Sequence, residues 1–289
     1  MEIRRRIRVF RRIGFIVLLT TQLLIGGFQI KTIPQNSLML ATNRGFSANK
    51  IDYKLKSHVS ADIIKFPQNI NFLKIHYHQF SFSFLDFGVL KNQINNQVLN
   101  EFSAYEADFQ YYFYKSIMKK ISLNANAGIS YSKISYINSY AITSNIKAST
   151  SIPNKKIYLA ISVNNLGIII NDYTNKKTVL PLEFQSGITY QLNKTKILFA
   201  YDFIYQPHIV DKKHIMNVQF PVGKIVEIHV SSSNYKQNLS LSNYQNDWFY
   251  GLGCGFSIKS KKITTSFGLT NLGSAGLIYG VSLKQNILK

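Results

Sequence analysis

The sequence predicts an all-β protein: a transmembrane outer-membrane β-barrel of about fourteen antiparallel strands. Three observations carry that expectation. A two-residue alternation recurs from Phe72 to Leu283, a basic-then-apolar leader precedes it, and the connections alternate between short and long. In 121–132, Ile121, Leu123, Ala125, Ala127, Ile129 and Tyr131 fall on one face, with Ser122, Asn124, Asn126, Gly128, Ser130 and Ser132 on the other. A strand with one apolar and one small polar face needs hydrocarbon on one side and water on the other. No apolar run after residue 30 reaches the roughly 18 residues of a membrane-crossing helix. Any crossing must therefore use strands closed into a barrel.

The N-terminus reads as an export signal. Arg4, Arg5, Arg6, Arg8, Arg11 and Arg12 form its charged start and Ile13–Phe28 its apolar stretch, so residues 1–30 are assigned to a signal peptide. Gly26–Gly27 is the nearest small-residue cleavage site, and no Cys follows to carry a lipid. Residues 31–50 are irregular and read as a periplasmic or plug segment, with the barrel over 51–289.

The strands are expected near 51–60, 70–79, 80–91, 102–116, 119–132, 138–150 and 155–166. The second half adds 181–192, 195–206, 212–220, 223–233, 247–258, 261–270 and 275–284. With the N-terminus in the periplasm, the even-numbered connections face inward, and they are the short class: none at 79/80, then 117–118, 151–154, 193–194, 221–222 and 259–260. The outer ones include the long 61–69, 92–101, 167–180 and 234–246, alongside 133–137, 207–211 and 271–274. Short periplasmic turns and longer outer loops characterise membrane barrels.

The faces agree with this assignment. Tyr105, Ala107, Phe109, Tyr111 and Phe113 oppose Glu106, Asp108 and Gln110; Leu182, Phe184, Ile188 and Tyr190 oppose Glu183, Gln185, Gly187, Thr189 and Gln191. Trp248, Tyr250, Leu252, Cys254, Phe256 and Ile258 oppose Phe249, Gly251, Gly253, Gly255 and Ser257. Glycine at successive lumen positions in 251–255 leaves room for a plug or another closely approaching segment. Near-end aromatics such as Trp248, Tyr250, Tyr190 and Tyr114 suit the interfacial girdles. In 80–91 the apolar face switches between Phe84 and Leu85, which predicts a bulge there.

Charge excludes one function class. The chain carries +21, of which the six Arg and one Glu of residues 1–30 account for +5, leaving +16. Apart from Arg44 the remainder is lysine, much of it in pairs between strands: Lys119–Lys120, Lys155–Lys156, Lys176–Lys177, Lys212–Lys213 and Lys261–Lys262. A nucleic-acid groove favours clustered arginines interleaved with exposed aromatics, so no nucleic-acid partner is expected. Lysine at strand ends suits solvation or anionic lipid headgroups.

No enzyme chemistry is expected. There is no nucleophile elbow, phosphate loop or paired-Cys zinc motif, and the lone Cys254 has no intrachain partner. His76 and His78 lie two apart on one expected strand face but lack a third ligand, so a polar lumen or rim role is assigned rather than a metal site. Glu106, Asp108, Glu183 and Asp202 could gather inside the barrel, where carboxylates pair with lysines or solvate a channel. The expected catalytic, cofactor-binding and metal residues are none, and no cofactor is assigned.

Specific phrases occur in order: Phe102–Ile117, Gly128–Ser132, Ser139–Ile142, and a strand ending Asn165-Leu166-Gly167. Leu180–Phe184 leads to Gly187–Tyr190, and Trp248–Gly253 and Asn271-Leu272-Gly273 close the series. This order resembles the PorV/PorQ family, closer to PorQ: outer-membrane barrels related to the FadL fatty-acid channel and used by the type IX secretion system. The early Asn-Pro-Ala segment of that family is not evident, and the chain ends Asn286-Ile287-Leu288-Lys289 without a terminal aromatic.

The resemblance implies a FadL-like barrel in the cell outer membrane and a non-enzymatic role in type IX protein secretion and cell-surface attachment. Its partners would be outer-membrane lipid, other type IX secretion components and secreted cargo proteins. Recognition would fall to the outer connections 92–101, 167–180 and 234–246. A FadL-like transporter of hydrophobic small molecules is the alternative, requiring a continuous apolar pocket and an opening in the wall. A lumen face of mostly Ser, Asn, Gln and Gly weighs against that greasy path. A third possibility, a structural porin, would have an unplugged, ion-conducting bore.

Overall fold

Alternating side chains give each strand two unlike faces, and the computed structural model closes fourteen such strands into one antiparallel barrel. The structure describes residues 28–45, 58–94, 97–118, 121–152, 156–173, 178–192, 195–208, 210–234, 251–272 and 276–287. The leader through Gly27, residues 51–57 of the first expected strand, the lysine pairs at 119–120 and 176–177, most of the 234–246 connection, and the girdle residues Trp248 and Tyr250 lie outside the described residues.

In chain order the strands are β1 (His58–Lys65), β2 (Asn71–Tyr77), β3 (Phe80–Ile94), β4 (Gln97–Met118) and β5 (Ile121–Ile134). Then come β6 (Ile137–Ile152), β7 (Ile157–Asn171), β8 (Glu183–Gln191), β9 (Leu198–Gln206) and β10 (Asp211–Val222). β11 (Val226–Ser233), β12 (Leu252–Lys259), β13 (Ile263–Asn271) and β14 (Leu277–Asn286) complete the wall. Every strand pairs with its sequence neighbours, and β1 closes on β14 from His58↔Asn286 to Lys65↔Tyr279. Closure leaves no unpaired edge, the condition for strands to cross hydrocarbon.

The burial pattern is inverted relative to a water-soluble domain. Ile63, Ile161, Phe109, Ile129 and Met216 are exposed on the outside, while Ser81, Asp108, Ser130, Asp202 and Ser231 are buried inside. Exposed apolar area of that extent requires an apolar medium, here lipid. The barrel is a transmembrane outer-membrane fold. Its two longest connections, 172–182 and 234–251, fall at the same end, opposite the β2–β3 turn. β1 starts at that turn, where His58 O accepts a hydrogen bond from His78 N.

Several sequence expectations need correction. Among the described residues the first strand runs from His58 to Lys65, past the end expected at residue 60, so the connection expected at 61–69 contracts to 66–70. The pairing with β14 carries the strand on, with Ala61↔Leu283 and Ile63↔Val281 on the outer face and the ladder reaching Lys65↔Tyr279. The outer connection expected at 92–101 is largely strand, since β3 and β4 run on as one hairpin to Ile94↔Gln97. Asn165-Leu166-Gly167 does not end a strand. It lies within β7 beside a register shift between Ser144 and Ile146, with Asn165 at φ 61°.

No bulge separates Phe84 from Leu85. Leu85 keeps the inward parity of Ser81 and Ser83, and the lumen face itself becomes apolar at Leu85 and Phe87. The irregularity comes later, between Asp86 and Val89, around Gly88 at φ +71°. There the Asp86 carboxylate accepts the Gly88 N–H at 2.9 Å. That positive φ suits glycine.

Candidate functional site

Residues 28–45 lie inside the barrel, and their attachments define the functional interior. The segment opens with a 3-10 turn at Gln29–Lys31 and continues into a short helix, α1 (Ser37–Ala41), capped by the Asn36 side chain accepting from Met39 N. Phe28, Ile30, Leu40 and Ala41 are at most 1% exposed, so the segment is embedded rather than laid across the mouth.

Three lumen carboxylates hold it. Glu106 on β4 accepts the backbone N–H groups of Phe28, Gln29 and Ile30 at 3.1, 3.0 and 2.6 Å. Asp108, two residues along, takes the Lys31 ammonium at 2.5 Å and also accepts from Gln110 and Ser130. Glu183 on β8 meets Arg44 at 3.1 Å through both carboxylate oxygens. Burial pushes the Lys31 ammonium below the ordinary lysine range, and Asp108 opposes that push. Buried charges persist when paired and hydrogen-bonded, as Asp108 and Glu183 are; Glu106 is held by hydrogen bonds.

Helix α1 sits against the opposite wall, where sequence and geometry explain each other. A short helix leaves its last carbonyls without intrahelical donors. Here Thr270 Oγ1 donates to Leu40 O at 2.6 Å and Ser231 Oγ donates to Ala41 O at 2.7 Å. Ser282 Oγ accepts from Ser37 N at 2.9 Å at the other end. Gly253, Gly255 and Gly268 make the approach possible: a Cβ on Gly268 would strike Ser37 O, and one on Gly255 would come within 2.7 Å of Ala41 Cβ. The glycines of β12 leave room for a plug, as their spacing predicted.

The interior is divided. Near the long-connection end, Ile30, Leu40, Ile64, Phe72, Leu85 and Phe87 pack into an apolar cluster that joins the segment to β1–β3. Beside it lies a polar chamber of ≈300 Å³. Lys31, Arg44, Lys74 and Lys147 line it, with Asp108 and Glu183 and a field of Asn and Gln side chains from β4–β8. Lys74 Nζ donates to Gln35 Oε1 at 3.0 Å, and Asn145 donates to Asn126 at 2.7 Å. Among the lining residues cations outnumber carboxylates, while Asp62 and Asp202 also act on Lys74 and Lys147.

The residues singled out from sequence separate in the fold. Glu106 and Asp108 share β4 while Glu183 and Asp202 lie on β8 and β9; the first three anchor the segment and Asp202 accepts from Asn217 on β10. His76 and His78 do not share a face: His78 occupies the β2–β3 turn at φ 55°, and His76 points inward to stack on His58, ring centroids 4.4 Å apart. Among the described residues no group of three His, Cys, Asp or Glu side chains could hold a metal. Cys254 faces outward. Lys74 and Lys147 were missed, although a lysine inside a strand and in phase with Phe72 and His76, or with Thr143 and Ser149, is a legible lumen signal.

No protein-family model and no curated protein matches the chain. Among solved structures it is similar to the toluene transporter TbuX of Ralstonia pickettii, with TM-score 0.55 and 8% identity over 91% of this chain and 99% of that one. It is also similar to the ΔS2S3 mutant of the monoaromatic hydrocarbon channel TodX, with TM-score 0.53 and 8% identity over 87% of this chain and 99% of that one. At such identity the likeness is one of fold, that of a transmembrane antiparallel β-barrel.

Proposed function

We propose that this protein is a plugged outer-membrane channel of FadL-like type that passes small organic molecules. The observation that carries the proposal is the chamber kept open between residues 28–45 and the barrel wall. TbuX and TodX, the one a toluene transporter and the other a monoaromatic hydrocarbon channel, support an apolar or aromatic solute. The apolar cluster of β1–β3 is suited to such a group, and Lys31, Lys74, Lys147 and Arg44 are suited to an acid group on the same molecule. Vesicles carrying the barrel should take up benzoate faster than protein-free vesicles, and rising salt should weaken the effect. Equal uptake of benzoate and of toluene with and without the barrel would refute the channel.

A second reading rests on the PorV/PorQ resemblance of the ordered phrases from Phe102 to Gly273. In it the outer connections bind secreted cargo and the barrel serves type IX secretion. A pull-down from detergent-solubilised outer membranes tests it: recovery of secretion components supports this role, and a solitary barrel argues against it.

A further inference from the structure

We propose that the chain is cut between Gly27 and Phe28, and that the α-ammonium released on Phe28 forms an ion pair with Glu106 inside the barrel. The Glu106 carboxylate is 2% exposed on the lumen face of β4. Its Oε1 accepts from Phe28 N at 3.1 Å, Gln29 N at 3.0 Å and Ser132 Oγ at 3.2 Å, and its Oε2 accepts from Ile30 N at 2.6 Å. Asp108 and Glu183 each take a side-chain cation from the same segment. Among the described residues, no lysine or arginine side chain pairs with Glu106. A carboxylate so enclosed calls for a compensating positive charge. Phe28 N already points at it, and at a chain terminus that nitrogen would carry one.

Three independent features agree. Phe28 sits at φ 75°, in the left-handed region, with ψ 52°. For a bulky L-residue this is an outlier, partly because of crowding with the preceding carbonyl. Hydrolysis removes that carbonyl, and with it the conflict.

Phe28 is also 1% exposed, packed with Ala141 and Leu180 and against Ile169 at the long-connection end. Such an enclosed position suits a chain end, which needs no path for a preceding residue. The sequence Leu24-Ile25-Gly26-Gly27, finally, closes the apolar run with the small residues that a leader peptidase accepts. In the cut, water adds across the Gly27–Phe28 amide, Gly27 leaves as a carboxylate, and the Phe28 nitrogen departs protonated.

The test uses protein extracted from outer membranes into detergent. N-terminal sequencing should read Phe-Gln-Ile-Lys, and any other start overturns the cut. Reductive methylation with formaldehyde and cyanoborohydride, followed at the α-amine by mass spectrometry, then tests the ion pair. It should run about tenfold slower in the folded barrel than in urea, the effect of one unit of pKa. Equal rates overturn the pairing.

Burial and pairing are separated by the pH at which methylation is half-maximal. Pairing with Glu106 places it above that of the free peptide Phe-Gln-Ile-Lys, whereas burial alone places it below. An unshifted or lowered value overturns the proposal without need of a variant. Glu106→Gln should lower the half-maximal pH and Glu106→Asp should restore part of it. Indifference to both substitutions also overturns it.

Discussion

Lys31 and Asp108 meet at 2.5 Å with both side chains 4% exposed, so solvent neither screens the pair nor rescues a broken one. Removing one partner of such a pair costs about 3–5 kcal/mol, because the other charge stays buried and uncompensated. Asp108→Asn should therefore loosen residues 28–45 while the strand wall persists, and limited proteolysis of the intact barrel should expose cleavage near Lys31. The double change Lys31→Met with Asp108→Leu should cost less than either single change, since apolar replacement of both partners leaves no orphaned charge. A double variant as susceptible to protease as the single ones would show that the pair does not fix the segment. In the wild type Gln110 and Ser130 also donate to Asp108 and orient its carboxylate toward Lys31.

At the scale of elements, α1 reaches the wall only because β12 and β13 withhold side chains. A Cβ at Gly268 would collide with Ser37 O and approach Ala41 N at 3.1 Å, both helix backbone that cannot yield locally. Gly268→Ala should displace α1 and raise the ion conductance of the barrel in planar bilayers. Gly223→Asn, in the open β10–β11 turn with nothing within 4 Å of its Cβ, should leave conductance unchanged. An unaltered conductance in Gly268→Ala would mean that α1 does not occlude the bore.

The strands were legible because two-residue parity survives any register, so Asp108 and Glu183 could be turned inward from spacing alone. Residues 31–50 read from sequence as a periplasmic or plug segment, but the wall contacts that embed residues 28–45 were not legible. Their wall partners lie 39 positions away at Gln35–Lys74, 76 at Ile30–Glu106 and 245 at Ser37–Ser282, and no periodicity encodes such contacts. The apolar stretch at Leu85 and Phe87 misled for the same reason: its inward phase makes sense only once Ile30 and Leu40 are known to meet it.

The whole molecule is a polar-cored, apolar-coated tube, and its native Cys254 reports on the coat without any substitution. In lipid vesicles a bulky water-soluble maleimide should leave Cys254 unmodified and a small membrane-permeant reagent should label it; both should react after unfolding. Rapid labelling by the bulky reagent in vesicles would place that face in water. A charge on the coat makes the same case energetically. Ile188, near the middle of β8, points outward beside Leu159 and Tyr201 and is 42% exposed. An arginine near the bilayer midplane of a barrel wall costs about 2–4 kcal/mol, whereas an arginine on a solvated sheet face costs almost nothing. Ile188→Arg should thus lower the urea midpoint of the barrel in vesicles by an amount matching that range. A midpoint equal to that of the wild type would mean that Ile188 faces water, and with it the band that includes Ile161, Phe184 and Phe199.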